Sequence, residues 1–285
     1  MKKMLFLLIL LSSGFFTVKA QSPVYKVTGN GNTIYIGGSI HFLREQDYPL
    51  PKAFDEAYNN AEILVFETDI KEVNSPATTQ KLLSAMMYQD DRTLKTELKE
   101  DVYHKLDSVC KIYGINLNQM NKVTPVLVSQ FLSKQVLAKI GVTSNGVDVH
   151  FNNRATEDNK QTFYLESIDE QINFLKSIGA GKENELILYT IDELESSTEM
   201  FKQMLESWRN GDEDLIMKLH NEFKFEYPDV YKTILSDRNS NWIPILERYF
   251  ETPETEFVIF GAGHLFGSDG VLELLKSKGY RVQQL

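Results

Sequence analysis

Glu256-Phe257-Val258-Ile259-Phe260 runs into Gly261-Ala262-Gly263-His264, and near the other end of the chain Thr33-Ile34-Tyr35-Ile36 runs through Gly37 into Gly38-Ser39-Ile40-His41. Both runs are short, rich in β-branched and aromatic residues, and stopped by glycine, so both read as buried β-strands. Glycine at the stop lets the backbone turn sharply or approach a neighbour closely. The histidine then stands at the carboxyl end of its strand, the edge at which α/β sheets bind ligands. Two histidines delivered this way from opposite ends of one chain point to a single site closed by both. Either Gly-x-x-His alone is a weak signal, because a histidine beside a strand end is commonly a hydrogen-bonded structural residue. Neither copy has a metal-ligand spacing within itself, so any metal site has to be assembled in space.

Two further apolar runs end the same way. Ile63-Leu64-Val65-Phe66 leads to Glu67, and Thr162-Phe163-Tyr164-Leu165 leads to Glu166. If the four runs are parallel neighbours, His41, Glu67, Glu166 and His264 converge on one sheet edge. Imidazole with carboxylate suits zinc, manganese, cobalt or iron, and equally suits metal-free acid–base chemistry. The plainer alternative is that strand-terminal carboxylates cap the next helix.

The rest of the chain fills in around these strands. Val24–Val27 and Thr33–Ile36 flank Gly29-Asn30-Gly31-Asn32, a hairpin signal. Pro51 starts a helix through Ala61, with Phe54, Ala57, Tyr58 and Ala61 at helical spacing. From about Pro76 to Phe250 the pattern is mostly helical. Ser167 with Glu170 forms a capping box, and Pro244 is placed to kink or end the last long helix, Asp229 to Phe250. A helix over Gly270–Lys278 and a strand over Tyr280–Gln283 close the chain. The fold class is therefore α/β (α+β mixed): a central mixed β-sheet built from both chain ends, with a large helical insertion over about 76–250 in a single domain, 21–285.

Lys2 and Lys3, the apolar run Met4–Leu11 and the small-x-small site Val18-Lys19-Ala20 read as a signal peptide over residues 1–20. The mature chain is then exported, periplasmic or secreted, with no stable membrane span after cleavage. Removing three lysines takes the net charge from −10 to −13, which argues against a nucleic-acid partner. The one cysteine, Cys110, permits no internal disulfide and sits at a buried helical position. Spacing alone makes Asp148 with His150, and Asp237-Arg238-Asn239, surface polar patches, although an arginine facing the site could neutralise a developing oxyanion. His104 and His220 read as surface residues.

Together these residues resemble the TraB/GumN family, whose animal relatives are the Tiki Wnt-cleaving metalloproteases. The resemblance rests on Gly38-Ser39-Ile40-His41 (serine where the family has threonine) with Pro49-Leu50-Pro51, on Phe66-Glu67, and on Gly146-Val147-Asp148. It continues through Leu165-Glu166 with Gln171, Asp237-Arg238-Asn239 with Trp242, and Gly261-Ala262-Gly263-His264-Leu265 with Asp269-Gly270. It implies a divalent-metal hydrolase (manganese, cobalt, zinc or iron) acting on a peptide or protein substrate. His41, Glu67 and His264 would hold the metal, and Glu166 would be general base or an additional ligand. Arg238 would steady an oxyanion or a substrate carboxylate, and Asn239 and Asp148 would position the others. The rival is a non-catalytic haem- or metal-binding protein using the same histidines. A signalling or adhesion protein with a relict site is a third reading.

Overall fold

A computed structural model describes residues 22–142 and 145–285. The expected signal peptide lies outside the described residues. Six strands form one sheet: β1 (Val24–Gly29), β2 (Asn32–Ser39), β3 (Ile63–Phe66), β4 (Gln161–Tyr164), β5 (Glu256–Gly261) and β6 (Arg281–Gln284), in the order β4-β3-β5-β2-β1-β6. The β1–β2 hairpin turns on Asn30 and Gly31, both at positive φ (53° and 86°), the backbone that a tight two-residue hairpin requires. β4, β3, β5 and β2 run mutually parallel, while β1 is antiparallel to both β2 and β6. The fold is a mixed sheet built from both chain ends, as the patterning requires, and the four carboxyl ends lie along one edge.

β5 is buried along both faces because alternate side chains meet different helical layers. Phe257 packs among Phe54 of helix Lys52–Asn60 and Phe151 of helix Val147–Glu157. Phe260, three residues on and therefore facing the other way, packs on Trp242 of helix Asp237–Tyr249. The helices between β3 and β5 add a second core of Leu94, Val102, Leu106, Cys110, Val128, Leu132 and Ile187. Among the described residues, no helix is long and apolar enough to cross a membrane.

The Asp229–Phe250 pattern resolves into helix Pro228–Tyr231, a π-helical turn Lys232–Ser236 and helix Asp237–Tyr249. Pro244 does not end that helix. Ser240, whose carbonyl loses its i+4 donor at Pro244, is solvent-exposed, as is Pro244 itself, so water satisfies the freed oxygen. His220 is buried on helix Glu213–Glu226, against the surface placement expected from sequence. It follows Ile216 and precedes Phe223 at helical spacing, the pattern that marks an inward face.

Candidate active site

The parallel edge places the strand-end residues together. Pairing of β3 with β4 continues past both strands, with Leu165 N donating to Phe66 O (2.9 Å) and Glu166 N to Glu67 O (2.8 Å). Two carboxylates are thereby set side by side in a buried place, where they repel unless a cation joins them. Arg238, two residues beyond the π turn, is that cation. Its Nε and Nη2 grip Glu166 (2.7 and 3.0 Å), and Nη2 also donates to Glu67 Oε2 at 2.6 Å. Glu166 accepts further bonds from Trp242 Nε1 (2.8 Å) and Gln171 Nε2 (2.8 Å), so both its oxygens are committed. Burial alone would raise the Glu67 carboxyl, but Arg238 above all, with His264, His41 and the Gly261 amide, holds it down at about 2.

Each histidine is held at Nδ1. Asn239 donates through Nδ2 to the Asp269 carbonyl (2.7 Å), which turns its Oδ1 toward His264 Nδ1 at 2.6 Å. His264 Nδ1 therefore carries the proton, and Nε2 presents a lone pair that accepts from Arg238 Nη1 at 3.0 Å. Burial, with Arg238 adding to it, pushes the His264 pKa down to about 3, so the ring is neutral. His41 Nδ1 lies 2.8 Å from Asp148 Oδ2, whose other oxygen accepts from Ser39 Oγ at 2.8 Å. The Asp148 carboxylate raises the His41 pKa, against an opposing burial effect. Asp148 reaches this position because Gly146 lies on the first Gly-x-x-His segment. A Cβ there would stand 2.3 Å from the His41 carbonyl, and Val147 N donates to Ile40 O at 3.1 Å. Only glycine allows the two backbones to approach so closely.

His41 Nε2, Glu67 and the ring edge of His264 border the space in front of Gly261. A Cβ built there would lie 3.2 Å from His41 Nε2, 3.3 Å from Glu67 Oε1 and 3.7 Å from His264 Cδ2. His41 Nε2 and Glu67 Oε1 are 3.9 Å apart, a separation that two bonds of about 2.0–2.2 Å span. His264 does not join them as the side chains stand, because Arg238 Nη1 holds its Nε2. Among the described residues, no group of three or more His, Cys, Asp or Glu side chains is arranged to hold a metal ion. The expected sharing of one metal by His41, Glu67 and His264 is thus not present in this arrangement; a guanidinium stands at the third ligand. The donor chemistry nonetheless fits. Each imidazole has its Nδ1 fixed by an oxygen, the support that orients metal-binding histidines, and the glycine leaves a cradle that any side chain would fill.

A family model, the TraB/PrgY/gumN family, matches residues 23–284. The chain belongs to the TraB/PrgY/gumN family. Among its relatives is a protein of Escherichia coli K12 named "Uncharacterized protein YbaP", 23% identical over 89% of this chain and 92% of that one. A second, from Xenopus tropicalis, is named "Metalloprotease TIKI1" and is 21% identical over 95% of this chain but only 61% of its own length. No solved structure matches the chain significantly.

The remaining site residues fall as follows. Asp148, Arg238 and Asn239, which spacing alone made surface patches, are drawn into the site by the contacts above. His150 stays outside it, tilted against Tyr48. His104 is exposed, beside Glu100 and Tyr103 and away from the site. Patterning missed His220, which lines the same cleft, and Ser39, whose hydroxyl ties Asp148 to the strand end.

Proposed function

We propose that this family member is an exported, metal-dependent hydrolase that cuts peptide bonds. The observation that carries the reading is the cradle at Gly261, bordered by two oriented imidazoles and a carboxylate. The distant similarity to a protein named as a metalloprotease supports it. His41, Glu67 and His264 would hold a divalent cation, whose contribution when bound is to polarise a carbonyl and acidify its water.

The protein's own groups do the rest. Asp148 holds the proton on His41 Nδ1 and aims Nε2 at the cradle. Asn239 holds the proton on His264 Nδ1, which leaves Nε2 the lone pair that Arg238 Nη1 now occupies. Glu67, kept ionised by Arg238 and the Gly261 amide, supplies an oxygen that stays deprotonated at any physiological pH. Glu166 acts as the anchor of Arg238, since neither of its oxygens is free to take a proton from water. Arg238 balances the buried carboxylates, and it yields His264 when the third ligand is required.

Metal analysis of purified protein loaded with manganese, cobalt, zinc or iron tests the proposal, beside His41→Ala and His264→Ala. Near-stoichiometric retention with peptide cleavage, both lost in the variants, is expected. Retention unaffected by either substitution would sink the assignment. Export is tested separately by amino-terminal sequencing of the secreted fraction, expected to begin at Gln21; a sequence beginning at Met1 would refute it.

A further inference from the structure

The walls above the charged floor have a chemistry of their own. The cleft that contains His41, Glu67, Arg238 and His264 encloses about 520 Å³, within the range of ligand-binding pockets. Its walls are Leu137, Phe174, Phe201, Met204, Leu219 and Ile234, drawn from four helices and the π turn. Among the described residues that line it, the only Asp, Glu, Lys or Arg side chains are Glu67 and Arg238, which are paired with each other. A second cavity of about 290 Å³ shares Leu137, Phe201 and Met204 with the first, and among the described residues that line it Tyr189 is the one ionisable side chain. The shared side chains set a second apolar hollow beside the first. At the rim, Phe42 follows His41 directly and is 44% exposed, adding an aromatic surface to the entrance.

We infer that the cleft selects peptides whose residues next to the cut bond carry large apolar side chains. A charged side chain there would be buried without a counter-ion, since Glu67 and Arg238 already neutralise each other. An aromatic or branched aliphatic side chain would replace water on apolar walls at no such cost. A polar floor under apolar walls matches an amide link flanked by apolar side chains. An acyl chain would leave the floor unused. The inference rests on the hydrolase reading for what happens at the bond, and not for what the cleft binds.

The test separates the two. Metal-stripped full-length protein is titrated by calorimetry with two capped octapeptides, one with Phe, Leu and Met at its centre and one with Lys and Glu. The apolar peptide should bind at least about tenfold tighter, the discrimination a hydrophobic pocket gives. Met204→Glu and, as a milder change, Leu137→Gln should erase the difference with unaltered circular dichroism. Phe225→Ser, on an 88% exposed side chain outside the cleft, should not. Equal binding of both peptides overturns the inference, as does palmitate binding tighter than the apolar peptide with the same response to Met204→Glu. A peptide library given to manganese- or cobalt-loaded protein then reads the bond. Cuts beside Phe, Leu, Met or Trp support the inference, and cuts without side-chain preference overturn it while leaving a hydrolase. Apolar binding without any cut sustains the inference and overturns the hydrolase reading.

Discussion

Replacing Arg238 by leucine removes the cation from two buried carboxylates and leaves a shorter apolar side chain. Glu67 and Glu166 are 11% and 10% exposed, so solvent cannot take over the guanidinium's role. Breaking a buried ion pair from one side costs about 3–5 kcal/mol. The wild-type Glu67 pKa, held at about 2 by Arg238 first and by its other neighbours, against an ordinary value of 4.5, is of the same order: at 1.36 kcal/mol per pH unit it corresponds to about 3 kcal/mol for all of them together. Arg238→Leu should therefore lower stability by about 3–5 kcal/mol at pH 7.

The sign of the pH dependence should also reverse. In the wild type the Glu67 pKa is depressed on folding, so its contribution is full above about pH 4.5 and is lost as pH falls toward 2. In the variant the largest opposing charge is gone, and burial outweighs the remaining help from His41 and the Gly261 amide, so the folded carboxyl pKa rises and the protein should gain stability as pH falls from 7 through 5. Urea denaturation at half-unit pH intervals, followed by circular dichroism, measures both effects. The double variant Arg238→Leu with Glu67→Gln should recover part of the loss at neutral pH. A loss below about 1 kcal/mol, or parallel pH curves for variant and wild type, would show that Arg238 is not what neutralises the pair.

Gly261→Ala puts a methyl group 3.2–3.3 Å from His41 Nε2 and Glu67 Oε1, so metal retention measured by elemental analysis should fall at least about tenfold, with the fold intact by circular dichroism; unchanged retention would place the metal elsewhere. Asp148→Asn should lower the His41 pKa toward the ordinary histidine value, seen by NMR titration of labelled histidine. Because the folded pKa is raised, the wild-type pair stabilises the protein below the unfolded histidine pKa and loses that contribution as pH rises through the folded one; the variant should lack this alkaline loss. Gly146→Ala, whose Cβ would sit 2.3 Å from backbone atoms of His41, should cost several kcal/mol in denaturant titration, and a near-neutral result would mean that the two segments separate easily.

The strand ends were legible because β2, β3 and β5, packed inside the sheet, write themselves as nearly unbroken apolar runs, while β4, an edge strand with Phe163 39% exposed, was marked by its aromatic residues instead. Glu67, Glu166, His41 and His264 were read as the polar residues that follow those strands. Asp148 and Arg238 did not, since each enters on a helix remote in sequence and its partner is set by packing, not spacing. Ser-Asp-Arg-Asn in residues 236–239 carries no mark that a π turn rotates Arg238 onto two carboxylates. Nor could a list of donor residues reveal that an arginine would stand where the third metal ligand was expected. That depends on the relative reach of side chains from three elements. His220 was recoverable from Ile216 and Phe223, and was missed because a lone histidine among charges looks solvated.

The pairing of β2 with β5 joins Ile34 to Glu256, so the strand that carries one half of the cleft is made long before its neighbour. Residues are added at about 5–20 per second during synthesis, and contacts this distant in sequence are late to form. Through most of its manufacture the polypeptide has one histidine turn and no second, with β2 exposed along an unpaired edge. The consequence is temporal: on the hydrolase reading proposed above, the residues that would hold the metal come together only after β5 has been made. The pairing of β2 with so distant a strand then acts as a delay on assembly of the site.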